Sequence, residues 1–335
     1  MKNLLKTLIL AGCLWTCAQA ETQPALDKNL PTLGGEAKDA SQAVAAAYKK
    51  DAVCTRCHDE TETKPILSIY QTAHGNKADT RTPSCQGCHG ESEKHLAGNV
   101  VNGVRAAPDV VFGAKLGALS ASEASQQNQA CLTCHGKDQK RTNWQGGPHQ
   151  TADLVCSSCH QLHTPHDNVR DKKTQPQVCF TCHKNQRADA NKFSHHPITE
   201  GKVACSECHN PHGTASPKSL VKNTVTETCY TCHAEKRGPF LWEHQPVTED
   251  CTLCHTPHGS NITPLLKSRA PFMCDECHDG PHASPNPVAG NAAGIQGGLT
   301  GAPANPSTSY TGRACMNCHS MVHGSNDPAG AFLQR

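Results

Sequence analysis

The stretch Cys251-Thr-Leu-Cys-His-Thr-Pro-His258 sets two thiols and two imidazoles within eight residues, and its Cys-X-X-Cys-His part occurs ten times along the chain. Cys54 and Cys57 precede His58, Cys85 and Cys88 precede His89, and Cys131 and Cys134 precede His135. The series continues with Cys156 and Cys159 before His160, Cys179 and Cys182 before His183, and Cys205 and Cys208 before His209. It ends with Cys229 and Cys232 before His233, Cys251 and Cys254 before His255, Cys274 and Cys277 before His278, and Cys315 and Cys318 before His319. Of the 22 cysteines, only Cys13 and Cys17 lie outside these pentads.

Each pentad has the attachment signature of c-type haem, in which two thiols form thioethers with the porphyrin vinyl groups and the adjacent histidine binds iron as the proximal ligand. A disulfide framework would also use many cysteines, but gives no reason for a histidine after every pair. Structural zinc asks for four ligands converging on one tetrahedron, and a thioredoxin-like redox pair would occur once. The expectation is therefore ten covalently attached haem c groups.

The remaining histidines expose a repeat of pentad, histidine, pentad, histidine that occurs five times. His74 and His95 belong to the first repeat, His149 and His163 to the second, His196 and His212 to the third, His244 and His258 to the fourth, and His282 and His323 to the fifth. These are the expected distal iron ligands, one for each haem. His166 and His195 are surplus, and stand as alternatives to His163 and His196. Taken singly, any of these histidines reads better as a surface or propionate-bonding side chain; their number and recurrence favour ligation.

Two ligands on opposite faces of one iron need backbones well over 10 Å apart, whereas three extended residues span only about 10 to 11 Å. His258 should thus serve another haem than that of His255. His163 and His212, at the same offset, should behave alike, while His95, His282 and His323 have slightly more reach.

Elements must now be found to hold these groups. Hydrophobic residues make up 36% and aromatic residues 4% of the 335-residue chain, poor material for a conventional core of that size. The porphyrins themselves should fill the interior. No sustained periodicity of 3.6 or 2 residues runs between the pentads. The expected fold is a mostly irregular multihaem cytochrome c with short α-helices and almost no sheet, drawn out as an elongated haem wire whose folding depends on cofactor attachment.

Residues 1–20 read as a secretory leader, with Lys2 and Lys6 before a short apolar run and Ala18-Gln19-Ala20 at its end. A second reading makes Cys13 the acylated end of a lipoprotein. Once the leader's two lysines are removed, basic residues equal the 29 acidic ones, which leaves no electrostatic case for nucleic acid. Residues 21–52 form an N-terminal segment with a short helix expected around Ala40 to Lys50. Residues 53–335 form a decahaem domain of five two-haem modules, starting near 54, 131, 179, 229 and 274. The stretch from Gly98 to Ala130 reads as a gap between the first two modules, and that from Ser284 to Thr311 as a loop within the fifth. Trp144 and Trp242 precede His149 and His244 at matching places and are expected on haem edges. Lys236 and Arg237 read either as propionate partners or as an exposed basic pair.

If every iron has two histidine ligands, none keeps an open position, and distal access is what separates electron transfer from small-molecule activation. The residues thus favour an electron conductor over an enzyme. A multihaem reductase of a small nitrogen or sulfur oxyanion would need one of the distal assignments to fail.

The run CYTCHAEKRGPFLWEHQPVTEDCTLCHTPHGS from Cys229 to Ser260 resembles the MtrA-type decahaem cytochromes of outer-membrane porin-cytochrome complexes. So do NWQGGPHQTAD around His149, CSECHNPHG around His209 and CMNCHSMVHGS near the end. The resemblance runs from about residue 50 onward. It implies a periplasmic cytochrome with bis-histidine ligation, threaded into an outer-membrane β-barrel porin. Its donors would be periplasmic or inner-membrane cytochromes, and its outer partner an extracellular multihaem cytochrome. By the same resemblance, the Cys54 to His58 pentad marks the inner end and the Cys315 to His319 pentad the outer. Export of respiratory electrons to metal oxides ranks first, ahead of import from ferrous iron or supply of an extracellular dimethyl sulfoxide reductase.

Overall fold

The computed structural model describes residues 33–62, 64–113, 120–278, 315–317, 319–328 and 333. The leader, the expected loop from Ser284 to Thr311, His282 and Cys318 lie outside them. A single helix, Leu33–Thr55, opens the described chain. Its Ala43-Val-Ala-Ala-Ala stretch is rich in the strongest helix former. The helix is longer than the expected Ala40 to Lys50 segment and crosses the boundary set at residue 52, because the first cysteine of the opening pentad continues its last turn.

The other pentads also ride on short helical turns. In eight pentads, those ending at His58, His160, His183, His209, His233, His255, His278 and His319, the histidine N–H donates back to the carbonyl of the first cysteine at 2.9–3.1 Å. A turn of that kind puts residues i, i+3 and i+4 on one side, so both thiols and the imidazole face the same space. Ala124–His135, Gln175–Phe180, Val225–Tyr230 and Phe272–Asp275 lead into the first pentad of the second to fifth repeats. Second pentads have only Cys85–His89, Cys156–Ser158, Cys205–Cys208, Cys251–Leu253 and Cys315–Asn317. Local caps fix these boundaries. At Val225–Tyr230 the Thr224 hydroxyl accepts from the Glu227 N–H while the Glu227 carboxylate accepts from the Thr224 N–H.

Side chains just ahead of one pentad also pin the next. Asp51 accepts from the Cys85 N–H at 3.1 Å, Asn128 from the Cys156 N–H at 2.9 Å, and Gln175 from the Ser206 N–H at 2.9 Å. In the fourth repeat the Thr226 hydroxyl donates to the Glu249 carbonyl at 3.1 Å.

Sheet is confined to one hairpin among the described residues, β1 (Val100–Val101) and β2 (Val104–Arg105), with Val100 opposite Arg105. Asn102 and Gly103 both have positive φ, 52° and 78°, which the tight turn between twisted strands requires. This hairpin lies in the stretch read as a gap. That stretch instead holds histidines of the first repeat, through the Ala106 and Val110 carbonyls, and buries Val110 and Val111.

Few apolar side chains are packed away. Only Val110, Val111, Trp144, Phe180, Ala190, Ala204, Leu220 and Leu266 form a protein core among the described residues. A continuous cavity of about 4790 Å³ runs past the pentads instead, lined by every described pentad cysteine and histidine. Adjacent repeats close around it where the second histidine loop of one meets the preceding repeat. Gly259, after His258, has φ 151°, and a methyl there would stand 1.9 Å from the Asp189 carbonyl oxygen. Gly213, after His212, is held likewise, with a methyl 2.3 Å from the Asn143 carbonyl oxygen. Only glycine permits so close an approach.

Candidate functional site

The histidines meet in pairs, each joining a pentad imidazole to one from the second set. His58 faces His95 with ring centres 6.0 Å apart, His135 faces His74 at 5.9 Å, and His89 faces His163 at 6.3 Å. His183 faces His149 at 6.1 Å, His160 faces His212 at 6.2 Å, and His233 faces His196 at 6.3 Å. His209 faces His258 at 6.0 Å, His278 faces His244 at 6.0 Å, and His255 faces His323 at 6.1 Å. His258 is thus not paired with His255, nor His163 with His160, nor His212 with His209. His319 is described, whereas His282 is not.

These separations are close to those of two imidazoles sharing one metal. A metal-to-nitrogen bond of about 2.0–2.1 Å and roughly 1.1 Å from nitrogen to ring centre put the two centres about 6.2–6.4 Å apart. Rings on a common axis accept any twist about it, which accommodates interplanar angles from 7° to 71°.

The other ring nitrogen is occupied in many of them. The Nδ1–H of His149 donates to the Pro211 carbonyl at 2.7 Å, that of His196 to Pro257 at 2.8 Å, and that of His244 to Val322 at 2.9 Å. His89, His95, His163, His209 and His255 likewise use backbone carbonyls, at 2.7–2.9 Å. His160 donates to Asp167 at 2.7 Å and His58 to Glu62 at 3.0 Å. Such bonds fix the tautomer and leave Nε2 for the metal. Burial pushes His74, His89, His135, His258 and His323 below the ordinary imidazole range, and His212 down to about 4. The neutral ring is the form that ligates.

The cysteines run in file. Within repeats, the first cysteines of the two pentads touch: Cys54 and Cys85, Cys131 and Cys156, Cys179 and Cys205, Cys229 and Cys251, Cys274 and Cys315. Between repeats, the second cysteines interact electrostatically: Cys88 with Cys134, Cys159 with Cys182, Cys208 with Cys232, and Cys254 with Cys277. Alternating first and second cysteines thus neighbour one another along the pentads in chain order.

This donor set fits covalent haem. Protein side chains bring two imidazoles to each metal position, and no set of three or more His, Cys, Asp or Glu converges as a metal site among the described residues. A porphyrin would supply four further donors, with the paired thiols as its anchors and the cavity as its space.

The surplus histidines are otherwise engaged. His195 uses both ring nitrogens, on the Lys192 carbonyl and on Glu200 at 3.1 Å, so His196 and not its neighbour faces His233. His166 is exposed, 3.4 Å from Asp171, and does not line the cavity. Trp144 lines the cavity and lies 6.3 Å from the His212 ring. Trp242 departs from expectation: it lies outside the cavity lining, and its indole N–H donates to the Asp327 carbonyl at 2.9 Å. It fastens the segment after His323, an orientation set by its bridge to Ser325. Lys236 lines the cavity. The junction glycines were signalled in the sequence by their recurrence after His212, His258 and His323.

Comparison with known proteins agrees with this chemistry. The doubled CXXCH motif family matches residues 195–238 and 244–283, and the cytochrome c-type protein NrfB-like family matches residues 85–175. The multiheme cytochrome MtrA of Shewanella baltica (strain OS185) is 41% identical over 288 residues, covering 84% of this chain and 80% of that protein. Cytochrome c-type protein NrfB of Escherichia coli O6:H1 is 28% identical over 202 residues, 57% of this chain and 92% of that protein. The C-type polyheme cytochrome OmcB of Geobacter sulfurreducens (strain DL-1 / KN400) is 26% identical over 210 residues, 59% of this chain and 26% of that protein. With pentads, donor geometry and extended similarity in agreement, the chain belongs to the MtrA family of multihaem electron-transfer cytochromes and carries covalently bound haem c.

Proposed function

We propose that each of the ten pentads carries one haem c, and that each iron is held between two imidazoles in a five-module wire crossing the outer membrane. The observation that carries this reading is the set of nine ring pairs at 5.9–6.3 Å. His282, by its place in the fifth repeat, would be the tenth distal ligand.

Bound haem iron supplies a one-electron couple between ferric and ferrous states. The nine imidazole pairs among the described residues would hold iron between two rings and leave a substrate no position on it. The Nδ1–H bonds would hold ten of these rings in place through a change of iron charge, and the file of cysteines gives the order of neighbours. Conduction, not catalysis, is the chemistry such an arrangement serves.

We place this wire in the periplasm, threaded into an outer-membrane β-barrel porin. It joins periplasmic or inner-membrane donor cytochromes to an extracellular multihaem cytochrome, in the respiration of extracellular metal oxides. Family membership and the leader support this placement. No described helix is long and apolar enough to cross a membrane. Irregular backbone is tolerated at membrane depth only within protein, and a barrel lumen would supply that shelter.

The test is reconstitution in liposomes enclosing a redox dye, with methyl viologen radical as external donor. Rapid internal reduction only when cytochrome and porin are present together would support the placement. A cytochrome that neither binds the porin nor accelerates dye reduction would remove it. A midpoint matched to ferrous iron, or dependence on a sulfoxide reductase, would redirect the use of the same wire.

A further inference from the structure

The first repeat contains a charge pair where the second to fourth repeats use the neutral groups of Asn128, Gln175 and Thr226. Asp51 is 1% exposed and Lys77 is 7% exposed. The Lys77 Nζ lies 2.8 Å from Asp51 Oδ2 and donates to the Pro83 carbonyl at 3.0 Å. The Tyr70 hydroxyl donates to the same carboxylate oxygen at 3.0 Å. Asp51 Oδ1 accepts from the Cys85 N–H, and Cys54, three residues on, touches Cys85. The carboxylate therefore stands between two attachment sites, with the ammonium behind it. In the second repeat Asn128 holds the Cys156 N–H at 2.9 Å, so the hydrogen bond alone needs no charge. A buried ion pair seldom improves stability over neutral groups of the same shape, which leaves its field as the distinguishing property.

We propose that Asp51 and Lys77 form a fixed charge couple that sets the reduction potentials of the two haems attached at Cys54 to His58 and Cys85 to His89. This rests on the reading that both pentads carry haem. The nearer carboxylate favours the ferric state, and Lys77 cancels most of its field. The first pair of sites is thereby tuned apart from sites that differ from it in no axial ligand.

The experiment is an optical redox titration of the full-length holoprotein and three variants, with haem counted by mass spectrometry and spin state by electron paramagnetic resonance. Asp51→Asn, which copies Asn128, should raise the potential of two haems by about tenfold in the reduction equilibrium, or about 59 mV for one electron. Lys77→Met should shift the same two in the opposite direction, and the double variant should return close to wild type. Unchanged potentials, equal shifts in the same direction, or loss of haem from the single variants that the double variant restores would each overturn the proposal, the last placing the pair in assembly. Absence of haem from Cys54 or Cys85 in the wild-type protein would instead remove the underlying reading.

Discussion

The interior of the molecule and its N-terminal end solve the same problem in different ways. Between the second and third repeats, His160 faces His212 and His183 faces His149, so each repeat supplies a ring to the other. The same exchange joins the third to the fourth through His209 with His258 and His233 with His196. In the first repeat, His58 pairs with His95 of its own repeat. His95 then leans on its own hairpin, through Ala106, where His149 and His196 lean on the next repeat. Interior repeats thus complete both of their sites only with a neighbour, whereas the end shares two rings with the second repeat and also holds one site of its own, at His58, as suits the cap of a stacked array.

That difference is most sharply broken by removing attachment. Cys205→Ala with Cys208→Ala should abolish recoverable holoprotein, because two neighbouring repeats lose a shared site on which folding depends. Cys54→Ala with Cys57→Ala should leave a secreted protein one haem short. Haem stoichiometry by mass spectrometry of the purified fractions checks both. Next in size comes loss of a distal ring. His212→Ala and His95→Ala should each give one high-spin iron, but only His212→Ala should also open the chain between repeats to limited proteolysis.

Glycine at the junctions offers a smaller test. Gly259→Ala forces a methyl against the Asp189 carbonyl and should destabilise the third-to-fourth junction by about 1–3 kcal/mol, read as a lowered thermal midpoint. Gly103→Ala, with nothing within 4 Å of its added methyl, meets only the strain of its positive φ and should cost about 1 kcal/mol. Smallest should be Trp242→Phe, which loses one hydrogen bond to Asp327, about 1 kcal/mol, and loosens the last segment without changing haem content.

Much of the site was legible because the chemistry fixes residue type and spacing together. A thioether pair and its ligand must be adjacent, so pentads such as Cys251 to His255 announce themselves. The limited reach of three residues separated His258 from His255 before any fold was known. The partner itself was not legible: His209 meets His258 through the packing of two repeats, which no local pattern encodes. Helix extents were misjudged where a pentad prolongs a helix, as at Leu33–Thr55. The stretch after Gly98 read as a gap between modules because its work is done by the carbonyls of Ala106 and Val110, groups every residue type carries. Trp242 was misplaced for a related reason: its hydrogen bond is to backbone more than eighty residues away.

The central claim is that the imidazole pairs saturate every iron. Low-temperature electron paramagnetic resonance of the purified, fully oxidised protein, with its haem content known by mass, tests it most directly. The account predicts low-spin ferric signals for all haems and no change on adding nitrite, hydroxylamine or cyanide. A stoichiometric high-spin signal that shifts with any of these would reveal an open iron and contradict it.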